Sequence, residues 1–173
     1  MNPDFLLGWN NDFTYKNFFA SVLIDAKFGG VAFSKTEAFL DSYGVSERTA
    51  EARDKGSIPI NAIMGTTAVT SIDPYIYYET VGDRNRIMEP YVFSRTNVRL
   101  AQFVLGYTFR SQKANPVFKD ASVSLIGRNL FFFYKKAPFD PEQAMSTNNS
   151  MQSNDVFSMP STRSLGFNVK FTF

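Results

Sequence analysis

The ten residues SLGFNVKFTF, Ser164 to Phe173, alternate without a break: Leu165, Phe167, Val169, Phe171 and Phe173 are apolar, and Ser164, Gly166, Asn168, Lys170 and Thr172 are small or polar. Successive side chains of a strand point to opposite faces, so a period of two separates these residues onto two sides of one strand. The same period recurs upstream. In FLLGWNNDFTY, Phe5 to Tyr15, the residues Leu7, Trp9, Phe13 and Tyr15 oppose Gly8, Asn10, Asp12 and Thr14, with Asn11 intruding on the apolar face. Lys16-Asn17 turns the chain into FFASVLIDAKF, Phe18 to Phe28. There Phe18, Ala20, Val22, Ile24, Ala26 and Phe28 oppose Ser21, Asp25 and Lys27, with Leu23 the exception. VRLAQFVLGYTF, Val98 to Phe109, sets Ala101, Phe103, Leu105, Tyr107 and Phe109 against Gln102, Val104, Gly106 and Thr108. ASVSLIGRNLFFF, Ala121 to Phe133, slips parity near Gly127, which reads as a β-bulge. With Thr162 to Phe173, five strands are predicted.

The connections alternate in length. Lys16-Asn17 and RSQKANPVFKD are short, whereas more than sixty residues follow Gly29-Gly30 and 28 residues, Tyr134 to Ser161, precede the last strand. Both exceed the usual connection of a compact domain. Within the longer one, SKTEAFLDSYG predicts a short helix, with Ser34 as cap, Glu37 three residues on and Gly44 as stop. SERTAEARDKG reads as a solvated charged run, and Asp73-Pro74 opens a second helical turn through YIYYETVG. Short turns on one side and long loops on the other are the pattern of an outer-membrane barrel. The strand lengths match the roughly 9–11 residues that cross a bilayer tilted.

Aromatic residues fall where a barrel places its interfacial girdles. Tyr15, Phe18, Phe19, Phe109, Phe171 and Phe173 mark one edge; Phe28, Phe131, Phe132, Phe133 and Tyr134 mark the other. Asp12, Asp25, Lys27 and Lys170, on the opposite parity, predict a wet, charged interior. Five strands cannot close a barrel, and an unpaired edge is not tolerated in lipid. The chain therefore reads as a piece of a longer protein, and the lack of a basic-then-apolar leader after Met1 fits that expectation.

Composition narrows the function. The chain of 173 residues carries a net charge of +2, which predicts no nucleic-acid surface. No Cys and no His are present. Disulfides, thiolate zinc sites and the usual general base are thereby excluded, and no enzyme is expected.

The stretches FLLGWNNDFTYKNFFASVLIDAKFGG, NVRLAQFVLGYTF, LIGRNLFFFYKKAPFDPE and STRSLGFNVKFTF resemble, in this order and spacing, the C-terminal end of SusC/RagA-type TonB-dependent outer-membrane transporters of the Bacteroidetes. FSKTEAFLDSYGVSERT is similar to the extracellular loop that follows FGG in that family. The resemblance spans residues 1–173. It implies an antiparallel transmembrane β-barrel of about 22 strands with a plugged lumen, of which this chain supplies about the last five, the plug domain and earlier strands lying upstream. It implies import of oligosaccharides or peptides, a SusD-like surface lipoprotein as lid, TonB acting through the absent N-terminal part, outer-membrane lipid around the wall, and the barrel-assembly machinery. Phe167, Val169, Phe171 and Phe173 match the family's C-terminal assembly signal, so deleting Phe173 is expected to impair assembly before substrate binding. No cofactor is implied.

Remaining candidates have two readings each. Tyr75, Tyr77 and Tyr78 contact a ligand or the lipoprotein, or pack the long loop. Asp140 and Glu142 of FDPE, with Asp73 and Asp155, gather a hard cation, or the Asp-Pro pairs open turns; no metal site is expected. Arg99 and Arg128 pair, inside the lumen, with acidic residues of a plug that this chain does not contain, or sit solvated on the wall. The alternative to the barrel fragment is a soluble, secreted β-sandwich that binds carbohydrate and buries its aromatic face between two sheets. A third class is a surface adhesin or assembly domain, with closed sheets and covered edges.

Overall fold

The computed structural model describes residues 2–83, 87–110, 119–142, 145 and 153–172. Its strands are β1 (Phe5–Tyr15), β2 (Phe18–Phe28), β3 (Val31–Ser34), β4 (Ile58–Met64), β5 (Thr67–Ile72), β6 (Val92–Ser94), β7 (Asn97–Arg110), β8 (Asp120–Lys135), β9 (Asn154–Asp155) and β10 (Ser164–Thr172). The helices are α1 (Lys35–Ser42), α2 (Glu47–Lys55) and α3 (Pro74–Gly82), with a 3-10 turn at Glu89–Tyr91. Two compact units result: Met1–Val31, Ser94–Glu142 and Pro160–Phe173 form one, Ala32–Phe93 and Gln143–Met159 the other.

The first unit is one sheet in the order β1-β2-β7-β8-β10, and every neighbouring pair is antiparallel. All five long strands read from alternation are present in this sheet. Residues directly opposite each other in such pairs share a face. Phe13, Ala20, Leu105, Leu125 and Phe167 therefore form one row across the sheet, and Thr14, Phe19, Gly106, Ser124 and Asn168 form the next row on the other face.

The apolar face is open. Leu105 is 49% exposed, Leu125 62% and Phe167 78%, and no second sheet covers them among the described residues. A sandwich has that face as its interior, each inward side chain locked against the opposing sheet. Here the large apolar side chains stand outward over five strands, far more contiguous apolar surface than a soluble monomer ordinarily presents.

Three slips interrupt the register of the sheet, one between β2 and β7 and two between β7 and β8, of which the second lies between Val98 and Arg99. The pairing of β2 with β7 slips between Leu23 and Ile24, so that Gln102 is followed by Leu100 and Ala101 is left over. The pairing of β7 with β8 slips at the same place, and Asn129 takes a φ of 51° there. The break thus lies two residues beyond Gly127, which itself pairs regularly with Phe103 and Leu165. Bulges re-aim side chains. Leu100 and Val98 now share the apolar face, while Arg99 and Asn97 turn to the polar one, opposite Asp25 and Lys27.

The same register corrects the aromatic rows. At one end Tyr15, Phe18 and Tyr107 share the apolar face, as do Phe109 and Phe171, and Phe18 meets Tyr107 edge-on at 4.7 Å. Phe19 is not among them: it lies opposite Gly106 on the polar face. At the other end Phe5 stacks on Phe28 at 4.6 Å and Phe131 meets Phe133 at 4.8 Å. Phe132 pairs with Arg99 and so faces inward. Phe173 lies outside the described residues.

Phe19 explains why residue 106 is glycine. A Cβ built on Gly106 stands 2.2 Å from the Phe19 ring, so the ring occupies the space a side chain would take. Gly106→Ala is expected to destabilise the sheet by about 1–3 kcal/mol through overpacking. Phe19→Leu with Gly106→Ala should recover part of that loss in thermal unfolding.

The second unit is built around α1 and α3. Ser34 caps α1 by accepting the Glu37 N–H at 3.1 Å, as the sequence predicts. Asp73 caps α3, accepting from the Tyr75 and Ile76 N–H groups at 2.8 and 3.3 Å, with Pro74 in the first turn. Ala38, Val81 and Tyr91 form the core, with Phe33 and Tyr77 packed on it. The charged run is more than solvated coil: it forms α2, capped by Ser46, closed by Gly56 at φ 78°, and burying Thr49 and Ala52. The hairpin β4–β5 and a small sheet in the order β6-β3-β9 complete the unit.

Candidate functional site

On the polar face of the sheet the FDPE stretch is a junction. Glu142 takes the Lys27 ammonium at 2.5 Å, the Asn97 side-chain N–H at 3.2 Å and the Arg99 guanidinium at 3.8 Å. Arg99 also pairs with Asp25 at 3.2 Å and donates to Asn129 at 3.4 Å. The bulge at Ala101 makes this possible, since a regular β7 would turn Arg99 to the apolar face. Arg99 thus finds its acidic partners within this chain. Arg128 lies on the polar face opposite Gln102 and Ser164, and is exposed.

Asp140 holds the two sides of the last connection together. Its Oδ1 accepts the Glu142 N–H at 2.9 Å, and its Oδ2 accepts the N–H of Ser161 at 2.8 Å and the Ser161 hydroxyl. Burial alone raises an acid, but the Ser161 hydroxyl, the two N–H groups and the charge of Arg99 outweigh it and hold Asp140 below the usual carboxylate range. A depressed acid contributes stability that is complete above its unfolded pKa, about 4, and is lost as pH falls through the lower folded value. Acid unfolding of the intact protein is therefore expected to be less steep in Asp140→Asn below pH of about 4.

The four acidic residues considered for a cation have other occupations. Asp140 and Glu142 bind as just described, Asp73 caps α3, and Asp155 accepts the Ser34 hydroxyl at 2.6 Å. Among the described residues, no cluster of three or more such side chains forms a metal-binding arrangement.

In the second unit the three tyrosines separate. Tyr77 packs on the core, Tyr78 is half-buried and meets Tyr77 edge-on at 5.1 Å, and Tyr75 is 65% exposed. Pro74, Tyr75 and Tyr78 line a shallow recess with Asp41, Thr49 and Arg53. Asp41, 1% exposed, was missed by sequence reasoning and organises this unit. It accepts the Arg48 Nε–H at 2.8 Å, the Ser46 hydroxyl at 2.7 Å and the Tyr91 hydroxyl at 3.0 Å, and its Oδ2 lies 2.6 Å from Arg48 Nη2 in an ion pair. Burial first, then the charge of Asp41 and the bond to it, push the Tyr91 phenol far above its ordinary value. The signal available in the sequence was Asp41 seven residues before Arg48, but the contact with Tyr91 is fifty residues long-range.

No family model matches the chain. It is 30% identical over 177 residues to a TonB-dependent receptor of Formosa agariphila, a match that covers 98% of the chain. The chain is homologous to part of a TonB-dependent receptor. The chain spans 16% of the length of that relative. In fold it is similar to the RagAB peptide importer in the open-open state, with TM-score 0.67, 15% identity, and 99% of this chain against 17% of that one. In the closed-closed state of RagAB the TM-score is 0.64 at 14% identity, with the same coverage. The fold of the chain is thus shared with these structures over nearly its whole length.

Phe167, Val169 and Phe171 stand on the apolar face of β10, exposed, in line with Leu125, Val123 and Ala121 of β8. Among the described residues, no strand neighbours the other edge of β10 or the outer edge of β1.

Proposed function

We propose that this chain is the C-terminal portion of the β-barrel of a SusC/RagA-type outer-membrane nutrient importer, supplying about its last five strands. The observation that carries this reading is the outward apolar face of an all-antiparallel sheet, bordered by aromatic rows at both ends. That face suits lipid, and the free edges of β1 and β10 suit pairing with further strands of the same barrel. The polar face, with the Glu142 junction, then lines the lumen.

The full protein, in this reading, takes up oligosaccharides or peptides with energy delivered through TonB, and a SusD-like lipoprotein closes its mouth. Tyr75, the exposed member of the trio, makes contact with ligand or lipoprotein, while Tyr77 and Tyr78 hold it in place by packing. Phe167, Val169, Phe171 and Phe173 are read by the barrel-assembly machinery.

Fractionation and uptake test this. The full-length protein should partition with the outer membrane, require detergent for extraction and migrate faster on a gel before heating than after. Cells lacking TonB should lose the uptake that the gene confers. An aqueous, monomeric, detergent-free protein contradicts the proposal.

A further inference from the structure

The short stretch 153–157, on the second long connection, is fastened to the first. Phe33 donates its N–H to the Ser153 carbonyl at 2.9 Å. β9 then adds to β3 in parallel, with Phe33 opposite Asn154 and Ser34 opposite Asp155. The Ser34 hydroxyl donates to Asp155 Oδ2 at 2.6 Å, and both residues are buried. The same hydroxyl oxygen accepts the Glu37 N–H, so the Asp155 carboxylate stands at the N-terminal end of α1, where the helix dipole favours an anion. Two residues further, the Phe157 N–H donates to Thr36 Oγ1 at 2.7 Å, and the Phe157 ring stacks on Phe39 at 5.8 Å. Phe157 reaches that position with a φ of 50°, an uncommon conformation for a large side chain.

A two-residue parallel bridge has no stability of its own. A buried carboxylate is costly unless its bonds are made, so Asp155 gains from burial only while α1 is folded beneath it. Glu37 registers the arrangement: burial raises its pKa, Arg48 opposes, and Asp41 and Asp155 add to the rise.

We propose that Asp155 and Phe157 form a clip on the first two turns of α1, so that residues 153–157 and α1 open and close as one cooperative body and the two long connections cannot loosen independently there. This goes beyond the import reading and does not depend on it.

Hydrogen exchange on the full-length protein, in the medium that keeps it folded, tests the clip. Asp155→Ala leaves the Ser34 cap on Glu37 in place, and Phe157→Ala removes the ring alone. Either change is expected to speed exchange of amides 35–42 by about tenfold or more, although the substituted residue lies in the other connection. Phe39→Ala should in turn speed 153–157. If 153–157 loosens while 35–42 keeps its protection in both variants, the clip is overturned. Should these variants fail to fold, the pair Thr36→Cys and Phe157→Cys gives a second measurement in a segment that has no native cysteine. Mild oxidation should link the two thiols in nearly every molecule, and thiols that stay free overturn the proposal.

Discussion

Leu125→Arg is expected to weaken the folded protein in a bilayer by about 2–4 kcal/mol, whereas Ser124→Arg, one residue away, is expected to cost about 0.5 kcal/mol or less. Leu125 stands mid-strand on β8, between Leu105 and Phe167 on the open apolar face. An arginine there has no partner in the sheet and must be desolvated or dragged to the interface. Ser124 lies between Gly106 and Asn168 on the polar face, where a long cation reaches water. Denaturant unfolding of the full-length protein in vesicles measures both. Equal costs at the two positions would contradict the assignment of faces.

Asp41→Ala is expected to have the largest effect in the second unit. The substitution leaves the Tyr91 hydroxyl, fully buried, and the Arg48 guanidinium without their acceptor. Arg48 keeps 37% of its side chain exposed and can recover some hydration, so the expected loss is about 2–3 kcal/mol, below that of a fully buried pair. Asp41→Asn, which retains an acceptor without the charge, should cost less. Limited proteolysis within residues 35–82 reads the difference. Unchanged protease resistance in Asp41→Ala would show that α1, α2 and Tyr91 are held by apolar packing alone.

The sheet was legible because its signal is local. Alternation over Phe5–Tyr15, Phe18–Phe28 and Ser164–Thr172 states both the strand and its faces. The caps of α1 and α3, Ser34 and Asp73, were legible for the same reason. Phase was legible only up to a bulge. One extra residue at Ala101 inverts everything beyond it, and nothing in VRLAQF marks that residue as the leftover. Phe132 was therefore grouped with outward neighbours although it faces inward, whereas Phe19, of opposite parity to Phe18 and Ala20, was grouped by its place at the turn alone. β4 and β5 were missed because Pro59, which cannot donate to a ladder, and Ile63, on the off phase, blur the alternation of Ile58, Ile60, Ala62 and Met64. β3, β6 and β9 are two to four residues long, too short for any period, and exist through tertiary pairing. The Glu142 and Asp41 junctions join residues up to 115 positions apart, a distance at which one sequence carries no pairing information.

A spin-label scan along β8 in the full-length protein, reconstituted in lipid, tests the central claim most directly. Labels at residues 121, 123, 125 and 127 should be accessible to lipid-soluble oxygen and shielded from a water-soluble nickel chelate. Labels at 122, 124, 126 and 128 should show less oxygen contact, and the phase should slip between 128 and 131, where the pairing with β7 breaks. If the odd positions are shielded from both reagents, the apolar face is covered by protein and the sheet is not a membrane wall.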